Sequence, residues 1–272
     1  MNSITLLKGI QPPDVITVAR AYAANRFMPT PPSEKNFVGD GDFRSIGGEF
    51  LRHFVRLGRL APTDRVLEIG CGIGRMALPL TQWLNVDAGS YDGVDIVREG
   101  IEWCQSAITP VYRNFRFHHL DCANPVYNPA GTIAAPAVAL PFEDNSFDFV
   151  LLTSVLTHLD AATTAAYAAE IARVLRPKGR CFLSLFLMND EARDGLRKGD
   201  RRLAFDPEAA GPEYQADESH PGAAVAFDEP WLMSLFRDAG MTIATPVRYG
   251  HWSGRKTPNY QDLAVFVREG GA

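Results

Sequence analysis

The chain has 272 residues, enough to bury a sizeable core, and its 46% hydrophobic and 22% charged composition excludes extended disorder. A formal net charge of −5 argues against a broad electrostatic footprint for nucleic acid. No segment approaches the roughly 18 consecutive apolar residues of a membrane span.

The N-terminus lacks a basic segment leading into an apolar run, so no signal peptide is expected. Cys71, Cys104, Cys122 and Cys181 are scattered, without a CxxC pair or metal-ligand spacing. Reduced thiols in a soluble cytoplasmic protein fit this usage. Arg193, Arg197, Lys198, Arg201 and Arg202 cluster, but Asp190, Glu191, Asp194 and Asp200 are interleaved with them. The cluster reads as a solvated mixed-charge face.

From Arg65 onward, β-type apolar runs alternate with helical patterns, the mark of a parallel sheet covered on both faces. The first strand is Arg65 to Ile69, followed by the loop Gly70-Cys-Gly-Ile-Gly74 and a helix from Arg75 to about Leu84. Ser90 to Asp95 is the second strand and Glu99 to Ile108 its helix. Phe115 to Leu120 is the third strand, and Phe147 to Thr153 the fourth. The alanine-rich run Ala161 to Leu175 is a helix with Asp160 as N-cap. Arg176 to Gly179 ends it, and Arg180 to Leu187 is the fifth strand. A helix over Pro230 to Ala239, stopped by Gly240, and strands over Met241 to Tyr249 and Gln261 to Arg268 complete the set.

The N-terminal 60 residues, the loop 124–140 and the segment 188–228 fall outside this rhythm and read as lids or binding loops. The division expected is an N-terminal helical lid over 1–60 and a catalytic domain over 61–272, with acceptor-site insertions near 124–140 and 188–228. Phe43, Phe50 and Phe54 have helical spacing, which suits either a lid helix or plain packing against the sheet.

Glycines at a strand end let the chain turn sharply and let a ligand approach the backbone. Their spacing here is G-x-G-x-G rather than the G-x-G-x-x-G of dinucleotide sites, although a dehydrogenase remains the rival. Glu68 stands just before the loop, where a carboxylate repels a pyrophosphate but organises a cationic ligand. Asp95 and Asp121 close the next two strands at the same carboxyl edge. Asp95 suits ribose hydroxyls, Asp121 an adenine amino group, and Cys122 a backbone N–H to the ring.

The run Val66-Leu-Glu-Ile-Gly-Cys-Gly-Ile-Gly74-Arg75 resembles motif I of the class I (Rossmann-like) S-adenosylmethionine-dependent methyltransferases. Asp95, Asp121, Leu140-Pro-Phe-Glu-Asp-Asn-Ser-Phe-Asp148 and Leu175-Arg-Pro-Lys-Gly179 continue that likeness over roughly residues 60 to 190. It implies a three-layer αβα sandwich whose seven-stranded, mostly parallel sheet has the order 3-2-1-4-5-7-6, the last strand antiparallel. It implies S-adenosylmethionine as cofactor and S-adenosylhomocysteine as product. The cofactor residues would be Glu68, Gly70, Cys71, Gly72, Gly74, Arg75, Asp95, Ile96, Asp121, Cys122 and Ser154, the last through its carbonyl.

Methyl transfer is an in-line displacement, and an alcohol acceptor must lose its proton as it attacks. His158, after the fourth strand, is the candidate base; the plainer reading is a helix cap or packing over the cofactor. Tyr127, Asn128, Tyr249, His251, Trp252 and Arg255 are candidate acceptor contacts, Trp252 for a ring and Arg255 for a carboxylate or phosphate. A packed hairpin loop is the alternative for residues 249–255. Asn124-Pro-Val-Tyr127 resembles a motif of amino-methylating nucleic-acid enzymes but follows the wrong strand. His118 and His119 alternate faces and so cannot share an ion, and Glu143, Asp144 and Asp148 read as turn residues. The expectation is metal-independent O-methylation of a small molecule, a sugar or another secondary metabolite. N-methylation and a non-catalytic binding or sensor role stay open, as does the oligomeric state.

Overall fold

The computed structural model describes residues 14–32, 39, 41–124, 126–199, 203–217, 219, 220 and 222–270. Seven strands form its main sheet: β1 (Arg65–Ile69), β2 (Ser90–Asp95), β3 (Phe115–His119), β4 (Phe147–Thr153), β5 (Leu175–Leu185), β9 (Met241–Ile243) and β10 (Asp262–Arg268). Their order is β3-β2-β1-β4-β5-β10-β9, with β10 antiparallel to both neighbours. Counted along this sheet alone, that is the order 3-2-1-4-5-7-6.

Successive side chains on a strand point to opposite faces, and here both faces are covered. Val66, Phe149, Leu151 and Phe182 face one core, with α1 (Val15–Ala24), α2 (Phe43–Arg56), α3 (Ala77–Leu80) and α4 (Arg98–Ala107) over it. Leu67, Val150, Leu152 and Leu183 face the other, under α5 (Ala161–Val174) and α7 (Glu229–Asp238). Asp160 caps α5 by accepting from Thr163 N at 2.6 Å, as its position before the alanine run implies.

The N-terminal helices belong to this sandwich. Phe54 of α2 packs edge-on against Phe182 at 4.9 Å and Phe149 at 6.2 Å. Of the first 60 residues, only Gly39 among those described lines the large cavity at the sheet edge.

The strand expected over Met241 to Tyr249 pairs regularly only to Ile243, with a single bridge at Arg248. Pro246 removes a ladder donor in between. Residues Arg176 to Gly179, expected to end the helix ahead of the strand, fall within β5.

The described part of segment 188–228 contains regular elements. β6 (Leu187–Met188), β8 (Val225–Asp228) and β7 (Glu213–Gln215) form a small second sheet in that order, with α6 (Asp190–Arg197) against it. Phe186, Met188, Leu196, Phe205, Tyr214 and Trp252 make a separate hydrophobic cluster inside this cap. Arg193 is built into it, donating to the Pro207 carbonyl and to Tyr214 Oη at 2.6 Å. Arg197 pairs with Asp194 and Glu208, while Asp200, Arg201 and Arg202 lie outside the described residues.

Candidate functional site

A cavity of about 430 Å³ opens at the carboxyl edge of β1, β2 and β4, with the cap forming its far wall. The glycine loop makes its floor. Gly70, Gly72 and Gly74 all have positive φ, at 76°, 53° and 76°. A Cβ on Gly70 would lie 2.3 Å from Val155 Cγ2, so a side chain there meets both strain and collision. Gly70 and Cys71 donate their N–H groups to the Val94 carbonyl at 2.8 and 3.1 Å, anchoring the loop to β2.

Asp95 completes that anchor. One carboxylate oxygen accepts from Gly72 N at 2.6 Å and the other from Val97 N at 2.8 Å. Burial raises its pKa against these backbone donors, and its carboxylate edges the cavity.

Glu68 also lines the cavity, although only 1% of it is exposed. Burial pushes its pKa up to about 8, opposed by the hydrogen bond from Tyr91 and the charge of Arg75, and reinforced by Asp95. Arg75 lines the same wall with a buried Nε that lacks a hydrogen-bond partner. A glycine cradle, a buried carboxylate and an unpaired guanidinium nitrogen fit a nucleoside whose tail carries both charges. Burial drives the Cys71 thiol well above the ordinary range.

At the end of β4, Ser154 adopts φ 59°, a left-handed conformation that non-glycine residues rarely adopt. Its N–H donates to Ser184 Oγ at 2.9 Å and its hydroxyl to Gln261 Oε1 at 3.0 Å. Held strain of this kind gathers at functional sites. Beyond it a 3₁₀ turn, Leu156–His158, brings His158 to the cavity wall. His158 Nδ1 lies 2.8 Å from the Gly222 carbonyl oxygen. A carbonyl only accepts, so Nδ1 carries the proton and the neutral ring keeps its lone pair on Nε2. The ring of Tyr127 stands edge-on to His158 at 5.6 Å.

A family described as a methyltransferase domain matches residues 67–183, from β1 through the glycine loop into β5. Phthiotriol/phenolphthiotriol dimycocerosates methyltransferase 1 of Mycobacterium ulcerans is 38% identical over 115 residues, covering 42% of this chain and 35% of that protein. O-methyltransferase rstn1 of Aspergillus nomiae is 32% identical over 125 residues, 46% of this chain and 48% of that one. The chain therefore spans less than half the length of these relatives. Among solved structures, the magnesium protoporphyrin IX methyltransferase of Synechocystis PCC 6803, crystallised with S-adenosylhomocysteine, superposes with a TM-score of 0.52. It is 17% identical, and the match covers 85% of this chain and 90% of that one. Residues 67–183 therefore match a methyltransferase domain, and the fold is the one found in that solved methyltransferase.

Within this fold, Glu68, Gly70, Cys71, Gly72, Arg75, Asp95, Ile96, Ser154, His158 and Tyr127 share the large cavity. Asp121 and Asn128 line a smaller hollow beside it, which also touches Ile96 and Tyr127. Asp121 accepts from Thr132 Oγ1 at 2.6 Å and Asn128 Nδ2 at 3.3 Å, bonds that lower its pKa. Cys122 is buried, its thiol side in the core beneath α5. Gly74 does not line the cavity; a Cβ there would press on Ile108 and Cys104 of the α4 region.

The residues expected to contact the acceptor from 249–255 are not at the cavity. Trp252 is fully buried in the cap cluster, donating its indole N–H to Asp262 at 2.9 Å. Tyr249 donates to Glu229 at 2.6 Å, and His251 sits against the Thr257 carbonyl at 3.2 Å. Arg255 stacks on the Tyr249 ring at 4.5 Å and donates to Asn189 Oδ1 at 2.6 Å. The packed-hairpin reading describes them. In their place Tyr260 and Gln261 line the cavity, with Phe186 and Leu203 of the cap and Tyr167 of α5. Because β10 is antiparallel, its first residues, not its last, meet the carboxyl edge of the parallel strands.

Proposed function

We propose that this protein transfers a methyl group from S-adenosylmethionine to a hydroxyl oxygen of a small molecule, without a metal ion. The observation that carries the reading is His158, which edges the cavity with its Nδ1 committed to Gly222. Glu68, Gly70, Gly72, Arg75, Asp95 and Ile96 would hold the cofactor, with Asp121 reaching its base from the adjoining hollow. When bound, that cofactor supplies a methyl group activated on a sulfonium.

The chain's part is to align the acceptor and remove its proton. The acceptor oxygen forms its bond to the methyl carbon as the carbon–sulfur bond breaks and its electron pair stays on sulfur. His158 Nε2 takes the hydroxyl proton, and the resulting imidazolium is steadied by the Gly222 carbonyl. A positioned general base of this sort contributes about 10²- to 10⁴-fold. Exclusion of water falls to the cap, with Tyr127 and Leu203 at the acceptor side.

The test is calorimetry with S-adenosylmethionine and NAD, then methyl transfer to matched panels of hydroxyl and amine compounds. Binding of the former and transfer to hydroxyls are expected, with His158→Ala losing at least ~100-fold in turnover and little cofactor affinity. Transfer to amines alone, or unchanged turnover in His158→Ala, overturns the oxygen-acceptor and base assignments. Binding of NAD instead overturns the reading as a whole.

A further inference from the structure

We infer that the acceptor is an uncharged compound with an aromatic or alicyclic body and an isolated hydroxyl, rather than a carboxylate, a phosphate or a sugar. This deepens the proposed function and rests on it. The cavity divides by chemistry. Its charged walls, Glu68, Arg75 and Asp95, all lie on the side of the glycine loop and β2. Past Ser154, the far side is walled by Leu159, Phe186, Leu203, Ala223, Ala224 and Tyr260.

An anion placed on that side would find no Lys or Arg among the described lining residues there. Arg75 is the sole Lys or Arg among the described lining residues, and it stands at the opposite wall. Arg255, which the sequence offered for a carboxylate or phosphate, is spent on Asn189 and Tyr249. Arg193 is spent on the cap's own backbone and on Tyr214. Burying an unpaired anion against that apolar wall is strongly unfavourable.

A sugar fares no better. Several hydroxyls would need partners, yet the amide oxygens at hand are in use. Gln261 Oε1 accepts from Ser154 at 3.0 Å and Ser184 at 2.6 Å. Asn124 Oδ1 accepts the N–H groups of Val126 and Tyr127, each at 2.9 Å. Trp252, the ring on which a sugar would stack, is inside the cap. Against this apolar wall, His158 Nε2 is one directed acceptor, which selects one hydroxyl. An unsatisfied hydroxyl in such a site costs affinity.

The full-length protein saturated with S-adenosylhomocysteine is titrated calorimetrically at neutral pH with 2-naphthol, 2-naphthoate and methyl glucoside. 2-Naphthol is expected to bind saturably and at least tenfold more tightly than the other two. Ala224→Phe, which fills the apolar side, is expected to weaken 2-naphthol at least tenfold and leave S-adenosylhomocysteine affinity unchanged. Equal or tighter binding of the naphthoate or the glucoside overturns the inference, as does 2-naphthol affinity that Ala224→Phe leaves intact. Failure to bind S-adenosylhomocysteine, read in the first titration, would instead sink the parent reading.

Discussion

Tyr91 donates its phenolic hydrogen to Glu68 Oε2 at 2.5 Å, between adjacent parallel strands and wholly inside the protein. Glu68 is thus a carboxyl group kept out of water at the wall of the cavity. Burial lifts its pKa from 4.5 to about 8. The sign follows directly. The folded protein holds the proton more tightly than the unfolded chain, so this group's contribution to stability is lost as pH rises through 8. A bound cation reverses the penalty by favouring the carboxylate.

S-adenosylmethionine and S-adenosylhomocysteine share an ammonium and differ by the sulfonium charge, so their affinity ratio isolates the effect of Glu68. From about pH 6 to about pH 9, across the raised pKa, calorimetry should show the ratio rising toward S-adenosylmethionine. A rise of about tenfold corresponds to about 1.4 kcal/mol. Glu68→Gln should flatten the ratio. A slope that persists in the variant would place the charge recognition elsewhere, for instance on Asp95.

Gly70 makes a second, purely steric prediction. Alanine there would put Cβ 2.3 Å from Val155 Cγ2 at φ 76°. The left-handed backbone alone costs about 1–2 kcal/mol. Gly70→Ala should lower the melting temperature and weaken S-adenosylmethionine at least tenfold. Adding Val155→Ala removes the overlap but not the strain, so calorimetric scans should show partial recovery in the double variant. Full recovery would mean that collision, not backbone conformation, explains the glycine.

What the sequence made legible follows from how local each signal is. The strands, the glycine loop and the acids at strand ends are written in short contiguous runs, and Glu68 and Asp95 stand where those runs put them. The sheet order follows only from the family resemblance those runs carry. The cap was not legible because β6, β7 and β8 span only two to four residues each, too short for an alternation to register. Trp252 and Arg255 looked like recognition residues because aromatic and basic side chains between strands often are. Their partners, Asp262, Asn189 and Glu191, are distant or buried and give no local sign. Gln261 and Tyr260 were reachable by one further step. An antiparallel last strand brings its start to the working edge.

Asp262 holds that start in place. Its carboxylate accepts from Gly250 N at 2.6 Å, Leu187 N at 2.7 Å and Trp252 Nε1 at 2.9 Å. Asparagine would turn an N–H₂ group toward buried donors, leaving at least one unsatisfied, at about 1–3 kcal/mol. Burial raises the Asp262 pKa from 3.8 to about 6. Its contribution to stability is therefore present at acid pH and lost as pH rises through 6. Asp262→Asn should lower stability in denaturant titrations and flatten its pH slope between about 3.8 and about 6. An unchanged slope would assign the titration to another buried acid.

Arg255 separates scaffolding from recognition. Its side chain is only 6% exposed, packed over Tyr249 and donating from its two Nη atoms to Asn189 and Ser253, while its ionic partner Glu191 is largely in solvent. An exposed partner adds little, so most of what Arg255 contributes is packing and the bond to Asn189. Arg255→Ala should cost about 1–3 kcal/mol of stability. Arg255→Lys should recover only part of it, because an ammonium cannot reproduce the planar fork and stack. Both variants should leave S-adenosylmethionine affinity and the KM for the acceptor unchanged at temperatures where they remain folded. A raised KM with an unaltered melting temperature would return Arg255 to the acceptor site and require the 249–255 hairpin to open toward the cavity.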